Sequence, residues 1–157
     1  MNFLEQLIAE WYSFQGYFVR TNIKIGKREL GGYEGEMDVL AFDPSKRLLV
    51  HLEVSGDADS WKERRDRFRR KFTTAAEHYG TVFDFKLRQV KKVAVVGFSK
   101  PKSPIDFGPD IELILIPDMM VKITKEMGRL RPTAKAVPEG FPLLRAVQFT
   151  VWYGNAT

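Results

Sequence analysis

Residues 34–55 read EGEMDVLAFDPSKRLLVHLEVS, and their pattern gives the main indication of the fold. Two apolar runs, each long enough for a β-strand, flank the sequence Asp43-Pro44-Ser45-Lys46. Proline restricts φ to a value that suits a tight turn, so the stretch predicts two β-strands joined as a hairpin. The remaining elements are expected to pack around this hairpin.

Acidic side chains fall inside both apolar strands. Because side chains alternate along a strand, Asp38 is expected on one face of the first strand, with Met37 and Val39 on the other. On the second strand His51, Glu53 and Ser55 are expected to share a face. Burying an unpaired carboxylate costs several kcal/mol. The acids therefore either form a metal site or lie solvated on an exposed face or edge of the sheet.

Composition sets the broad class. At 157 residues and 44% hydrophobic content, the chain is expected to form a single domain, residues 1–157, with a real core. The absence of cysteine excludes disulfides and thiolate metal sites, and it fits a reducing, cytoplasmic location. Neither a signal peptide nor a membrane span is expected, because no leader and no run of about 18 apolar residues is found. The net charge of +5 suits a polyanionic partner.

Two amphipathic helices are predicted, one before and one after the hairpin. Residues 3–15 place apolar side chains three and four positions apart, and Gly16 is a typical helix end. Residues 61–79 do the same, with Gly80 as the predicted end and most of the lysines and arginines on a solvated face. The apolar stripe of this second helix consists of Trp61, Phe68, Phe72, Ala75, Ala76 and Tyr79.

The second half of the chain alternates apolar runs with loops. Residues 91–98 predict a buried strand, 111–116 another strand and 118–130 a short helix. Residues 129–140 predict a flexible crossing or a lid, and 141–153 suit a helix or a strand, of which the helix is favoured. The order strand, helix, strand after the hairpin predicts an α/β fold, a mixed β-sheet flanked by helices on both faces.

The hairpin resembles the PD-(D/E)XK, or restriction-endonuclease-like, nuclease superfamily. Its pattern is an aspartate at a strand end, followed on the next strand by an acid, any residue and a lysine. Residues 36–40 (EMDVL) and 49–55 (LVHLEVS) carry the resemblance, with Ser55 where the family has lysine. Upstream, residues 4–10 and 16–17 resemble the first helix and turn of small members related to Holliday-junction resolvases.

The resemblance implies an αβββαβ core and a metal-dependent nuclease that hydrolyses DNA phosphodiester bonds with Mg²⁺ or Mn²⁺, in a restriction, repair or mobile-element context. Asp38 and Glu53 would bind the ion, with the backbone carbonyl of Val54 as a third ligand. Glu5 matches the acid that reaches the metal from the family's first helix, although the helix dipole alone also favours an acid in a first turn. His51 shares the face of Glu53 and could bind phosphate or metal.

The missing lysine leaves the identity of the catalytic cation open. The hydroxyl of Ser55 carries no positive charge and cannot fully replace an ammonium. In family branches without the strand lysine, a polar residue of the next helix can supply the group, and Lys71, beside the apolar stripe, resembles that arrangement. Lys62 in the first turn is a second candidate, and no replacement at all is the third. The expected catalytic residues are Asp38, Glu53, Ser55 and Lys71, with the Lys71 ammonium approaching both carboxylates.

Two other functions stay open from the sequence. A nuclease-fold domain that has lost cleavage would bind nucleic acid or a protein partner, which the serine at position 55 favours. An unrelated α/β protein could carry the same acids without a catalytic role. The chain has no GxxxxGK[ST] loop, no HExxH motif and no serine-hydrolase elbow, and its two histidines argue against a multi-histidine zinc site. DNA is the expected partner, and a homo-oligomer is left open.

Overall fold

The computed structural model describes residues 1–154 and has four helices and five strands within them. The helices are α1 (Phe3–Phe14), α2 (Trp61–Val82), α3 (Ile116–Met127) and α4 (Pro142–Tyr153). The strands are β1 (Phe18–Lys27), β2 (Tyr33–Asp43), β3 (Leu48–Ser55), β4 (Gln89–Val96) and β5 (Ile111–Ile114). The predicted hairpin is formed by β2 and β3, and Asp43 accepts hydrogen bonds from the backbone amide and hydroxyl of Ser45 in its turn.

The five strands form one sheet in the order β1-β2-β3-β4-β5. The pairs β1–β2 and β2–β3 are antiparallel because short connections join them, whereas β3–β4 and β4–β5 are parallel. Between β3 and β4 the chain crosses over through α2, since a parallel connection needs such a crossover. The expected α/β architecture, a mixed sheet flanked by helices, is confirmed at this level.

Helices cover both faces of the sheet. Residues of α1, α3 and α4 pack with Val39, Val50 and Val93 on one face. On the other face lies α2, whose Phe68 and Phe72 are buried. Within residues 1–154, none of the helices has the length and apolar character that a membrane crossing requires.

Strand β2 departs from simple alternation next to its acid. Met37, expected on the same face as Val39, instead packs with Leu40 in the cluster beneath α2, whereas Val39 lies in the cluster beneath α1. The register places Asn22 of β1 opposite Asp38, and Asn22 has a left-handed φ of 52°. A left-handed residue is uncommon outside glycine and changes the local direction of the strand. The distortion between β1 and β2 therefore explains why the expected placement of Met37 is wrong.

Helix α2 continues past its predicted end at Gly80. The backbone amide of Phe83 still bonds to the carbonyl of Tyr79 at 3.1 Å, and Gly80 does not adopt the left-handed φ of a helix terminator. Val82 packs in the cluster beneath the helix, so burial extends the helix beyond the glycine. The predicted apolar stripe is also wrong at Ala76, which is exposed.

The segment between α3 and α4 is tied down rather than free. Gln148 of α4 is fully buried, and its side-chain amide bonds to the carbonyls of Leu130 and Lys135 at 2.6 and 2.9 Å. Its carbonyl oxygen accepts from the backbone amide of Val137 at 2.9 Å. These bonds contradict the prediction of a flexible crossing or lid. The prediction of a helix for residues 141–153 is confirmed.

Candidate active site

Asp38 and Glu53 lie where β2 and β3 separate. The ladder between these strands ends at the pair Val39–Leu52, so the next position on each strand holds an acid. Asp38 Oδ2 accepts a hydrogen bond from the backbone amide of Val54 at 2.9 Å, which fixes the carboxylate against the neighbouring strand. Glu53 is fully buried and Asp38 is 6% exposed. Both carboxylates therefore lie in the layer between the sheet and α2.

Lys71 reaches both acids from α2. Its Nζ lies 2.8 Å from Asp38 Oδ1 and forms an ion pair with Glu53 Oε2. The next residue, Phe72, is buried, so the methylenes of Lys71 start beside the core while its side chain remains 30% exposed. The predicted approach of the Lys71 ammonium to both carboxylates is confirmed, whereas Lys62 is exposed in the first turn.

A hydrogen-bond chain continues from Glu53 to Tyr79. His51 Nε2 lies 2.7 Å from Glu53 Oε1, and His51 Nδ1 lies 2.7 Å from the Tyr79 hydroxyl oxygen. Both ring nitrogens are engaged, so neither is available to phosphate or metal in this structure. Sequence reasoning placed Tyr79 only in the apolar stripe. Its signal is the four-residue spacing of Lys71, Ala75 and Tyr79, which puts all three on one helix face.

Burial makes the two acids hard to ionise. It raises the pKa of Asp38 to about 6, with repulsion from Glu53 adding to the rise and Lys71 opposing it. Burial likewise raises the pKa of Glu53, and Lys71 again opposes the rise. For Lys71, burial alone would lower the pKa, but the charges of Glu53 and Asp38 outweigh it and raise the pKa. The site therefore holds a firmly charged ammonium between two carboxylates that resist ionisation.

His51 and Tyr79, the two residues that extend the hydrogen-bond chain from Glu53, stay uncharged near neutral pH. Burial lowers the pKa of His51 to about 3, and the positive charges of Lys71 and Lys92 contribute to this. Burial also raises the pKa of the Tyr79 hydroxyl, with the charge of Glu53 adding to the rise. His51 and Tyr79 therefore add no charge beside the two acids and Lys71 at pH 7.

Ser55 lies close to the acids along β3 but belongs to a second network. Its hydroxyl donates to the Asp57 carboxylate, and Arg67 Nη2 lies 3.4 Å from Ser55 Oγ. Arg67 also forms ion pairs with Asp57 and Asp59. Arg64, which the sequence assigned to the solvated face, is buried and holds Asp57 through Nε at 3.0 Å. Arginines of α2 thus surround the position where the resembled family has lysine.

Glu5 occupies the first turn of α1 in a capping box. Its carboxylate accepts from the backbone amide of Asn2 at 3.1 Å, and the Asn2 side chain accepts from the backbone amide of Glu5 at 3.0 Å. The Glu5 carboxylate thus bonds to Asn2 and caps the helix, and Glu5 as a metal ligand stays a prediction. This arrangement is the one that a first-turn acid is expected to adopt at a helix N-terminus.

The oxygens of the acid pair fit a divalent ion. Asp38 Oδ1 and Glu53 Oε2 already converge on a single cation, the Lys71 ammonium. The buried Glu53 Oε2 is in direct contact with the Lys71 ammonium, whose place a metal ion would take. Mg²⁺ and Mn²⁺ prefer such hard oxygen ligands and keep several waters. Val54 holds Asp38 through its amide, and its carbonyl remains a predicted third ligand.

A cluster of three potential metal ligands and an apolar groove lie outside the site beneath α2. Glu34, Glu77 and His78 approach one another at the surface, with His78 Nε2 3.0 Å from Glu34 Oε2. A groove of about 400 Å³ between α1, α3 and α4 has apolar walls that include Phe3 and Leu143. The first is exposed to solvent and the second lacks titratable groups, so neither reproduces the buried carboxylates and lysine beneath α2.

Asp38→Asn is expected to stabilise the protein at neutral pH. Between the ordinary pKa of 3.8 and the folded value of about 6, the folded protein retains a proton that the unfolded chain has lost. The contribution of Asp38 to stability therefore falls as pH rises through this range. Asparagine at this position does not ionise, so its contribution does not fall with pH. In urea unfolding the variant should be more stable than the wild type by ~1–3 kcal/mol at pH 8, with the difference shrinking toward pH 4.

Asp43→Asn serves as a control of opposite sign. Hydrogen bonds from Ser45 and Lys46 lower the pKa of Asp43 to about 2, so its charge stabilises the fold above the ordinary pKa of 3.8. This variant should be less stable than the wild type at pH 8. A destabilised Asp38→Asn protein at pH 8, or a difference that does not vary with pH, would contradict the assignment of Asp38 as a carboxylate disfavoured by burial.

Comparison with known proteins adds no relative to this picture. The chain matches no family model, no curated protein and no solved structure. Its function is therefore inferred from the convergence of Asp38, Glu53 and Lys71 beneath α2.

Proposed function

We propose that the protein is a metal-dependent nuclease that hydrolyses DNA phosphodiester bonds. The observation that carries this proposal is the convergence of Asp38, Glu53 and Lys71, drawn from two strands and a helix, on one partly solvent-accessible point. Carboxylates for a divalent ion and an ammonium for phosphate charge are the groups that such a hydrolysis needs. Keeping three charged groups together beneath a helix is otherwise hard to account for, because their burial is unfavourable.

The order of the elements supports the same proposal. The chain runs α1-β1-β2-β3-α2-β4, with the acids on β2 and β3, as in the αβββαβ core of the restriction-endonuclease-like family. Membership of that family is part of the proposal, and so is Mg²⁺ or Mn²⁺ as the cofactor. A setting in restriction, repair or the movement of genetic elements fits a small nuclease of this kind.

The roles of the residues follow from their contacts. Asp38 Oδ1 and Glu53 Oε2 would bind the ion, which supplies an activated water and Lewis-acid stabilisation of the phosphate. The Val54 amide keeps the Asp38 carboxylate in a fixed orientation. Ion binding requires Lys71 to leave the acids, and its 30% exposed side chain then places the ammonium where it can neutralise a phosphate oxygen or orient the attacking water.

The exposed side of α2 provides a surface for the DNA backbone. Lys62 and Arg70 are exposed there, and Arg65 is partly exposed, on the helix that carries Lys71. Lysine and arginine on one face are the usual means of binding phosphates. A second group of basic residues, within 129–135, belongs with α4 on the opposite side of the sheet. The proposed DNA surface is therefore α2 without that segment.

DNA affinity is expected to fall steeply with salt, because neutralising phosphates releases counterions. Removing charge with Lys62→Gln or Arg70→Gln should weaken binding and reduce the slope of log affinity against log salt by about 1 for each variant. Fluorescence anisotropy with labelled duplex DNA measures both quantities. The salt concentration is varied from about 50 to 200 mM, a range over which the affinity of such complexes changes strongly.

Lys122→Gln is the matched control for these variants. Lys122 is exposed on α3, across the sheet from α2, so its replacement should leave the slope unchanged. An affinity that barely changes with salt, or an equal effect of all three substitutions, would argue against α2 as the DNA surface and for a protein partner.

A nuclease-fold domain without cleavage is the second candidate function. The observation that favours it is Ser55, whose hydroxyl is engaged by Asp57 where the resembled family has lysine. Such a domain would bind nucleic acid or a protein partner through the same fold. The position of Lys71 favours the active enzyme, because it returns a positive charge to the two acids.

A cleavage assay separates these two functions. Plasmid, single-stranded and branched DNA are incubated with the protein in Mg²⁺, in Mn²⁺ and with a chelator. The proposed function predicts cleavage of at least one substrate with either ion and none with the chelator. Salt-dependent DNA binding without cleavage under every condition would establish the second candidate instead.

A further inference from the structure

His51 is a buried group that the proposed chemistry does not use directly. It lies two residues before Glu53 on β3 and is fully buried. The edge of its ring packs near Phe72 and Tyr79 of α2, with ring centroids 4.9 and 5.7 Å apart. With both nitrogens bonded at 2.7 Å, the imidazole has a defined orientation.

The proton positions in this chain follow from the chemistry of its ends. Glu53 must be ionised to bind a metal ion, and its Oε1 can then only accept a hydrogen bond, so His51 Nε2 carries the proton that lies between them. In a neutral imidazole the other nitrogen, Nδ1, is then an acceptor. The Tyr79 hydroxyl lies 2.7 Å from Nδ1 and donates to it. With Glu53 in the ionised form, the Nε2–H tautomer of His51 therefore satisfies every group in the hydrogen-bond chain.

We propose that Tyr79 and His51 are positioning residues for the metal site. Tyr79 holds His51 through Nδ1, and His51 holds Glu53 through Oε1 so that Oε2 points toward Lys71 and the bound ion. The role toward the ion rests on the proposed function. The hydrogen-bond chain itself stands on the geometry of β3 and α2 alone.

The physical basis is the rotational freedom of a glutamate. A carboxylate with one oxygen fixed by a hydrogen bond presents the other oxygen in a constant direction. Without that hydrogen bond the carboxylate can rotate, and its affinity for a metal ion is lower. Partners one step removed from a metal typically contribute 10- to 100-fold to metal affinity, roughly, by fixing the ligands in this way. The Tyr79 hydroxyl reaches Glu53 only through His51, so its removal is expected to lower the metal affinity by an amount at the lower end of that range.

Tyr79→Phe tests the proposal, because it deletes the hydroxyl and little else. Without the hydroxyl, His51 Nδ1 loses its hydrogen bond, and the imidazole is held only through Nε2 and Glu53. ¹⁵N NMR with Mg²⁺ present should show the Nε2–H tautomer in both proteins and a changed Nδ1 resonance in the variant, because Nδ1 no longer accepts a hydrogen bond. Isothermal titration with Mn²⁺ should show an affinity about 10-fold lower in the variant.

Tyr12→Phe is the matched control. Tyr12 is also a buried tyrosine, but it lies on α1 at the opposite face of the sheet. Its replacement should change neither the Nδ1 resonance of His51 nor the Mn²⁺ affinity. This control separates the loss of one particular hydrogen bond from the general effect of removing a buried hydroxyl.

The outcomes distinguish this inference from the proposed function. Wild-type binding of Mn²⁺, together with an unchanged affinity or an unchanged Nδ1 resonance in Tyr79→Phe, would overturn the positioning role and leave the nuclease proposal standing. Failure of the wild type to bind Mn²⁺ at all would overturn both, whatever the His51 resonances show. Lower affinity with a changed Nδ1 resonance in Tyr79→Phe alone supports the inference.

Discussion

Lys71→Ala is expected to reduce the rate of DNA cleavage by ~10²-fold or more, the scale of losing a positioned catalytic group. Among residues 1–154, Lys71 is the cation whose ammonium contacts both Asp38 and Glu53. Ser55 offers no charge to replace it. Single-turnover cleavage at saturating Mg²⁺ measures the chemical step separately from DNA binding.

Lys62→Ala is the control for this experiment. Lys62 lies on the same helix but is exposed in the first turn, so its loss should weaken DNA binding without slowing the single-turnover rate. Cleavage by Lys71→Ala at the wild-type rate would show that Lys71 serves the structure alone. A loss of rate in Lys62→Ala equal to that in Lys71→Ala would show that general charge, and not position, matters.

The same Lys71 variant carries a stability effect that must be measured alongside. Removing the ammonium leaves two buried carboxylates without compensation, and breaking a buried ion pair in this way costs about 3–5 kcal/mol. Lys71 is partly exposed, so we expect about 3 kcal/mol at pH 8. The loss should be smaller at pH 5, where the raised pKa of about 6 leaves Asp38 largely protonated in the folded protein. Circular dichroism at the assay temperature establishes that the variant is folded when its activity is measured.

Glu53→Gln is expected to abolish both divalent-ion binding and cleavage while leaving the fold intact or slightly more stable. The amide oxygen can still accept from His51 Nε2, so the hydrogen-bond chain is preserved on that side. The charge that attracts the ion is lost, and so is the repulsion that raises the pKa of Asp38. Titration with Mn²⁺ and thermal unfolding with and without the ion measure the two effects.

Glu34→Gln provides the matched control. Glu34 belongs to the group with Glu77 and His78, in which three potential metal ligands approach one another at the surface. It should leave Mn²⁺ affinity and cleavage unchanged. If Glu53→Gln or Asp38→Asn unfolds the protein, the acids are structural and the metal site is wrong.

The sequence predicted the hairpin because its signals are local. Two apolar runs around a proline turn, with Asp38 and Glu53 inside them, depend on neighbours only a few positions away. The helix carrying Lys71 was predicted from its apolar stripe in the same manner. The contact of Lys71 with both acids then followed from packing that stripe on the sheet.

Other parts of the site depend on distant partners and could not be read in this way. The distortion at Asp38 arises from Asn22 on the neighbouring strand, with its left-handed φ. The burial of Arg64 comes from Asp57 in the loop before α2, which the pattern of charges along the helix does not reveal. The pairing of Tyr79 with His51 requires the exact rotation of α2 over β3.

Anomalous scattering from a crystal soaked in Mn²⁺ shows directly whether Asp38 and Glu53 bind a metal ion. We expect one strong peak between Asp38 and Glu53, bound to Oδ1 and Oε2, with the Lys71 ammonium moved away from both oxygens. A crystal in which Lys71 keeps its ion pairs with both acids and Mn²⁺ is absent from this position, or lies only at Glu34 and His78, would contradict this expectation.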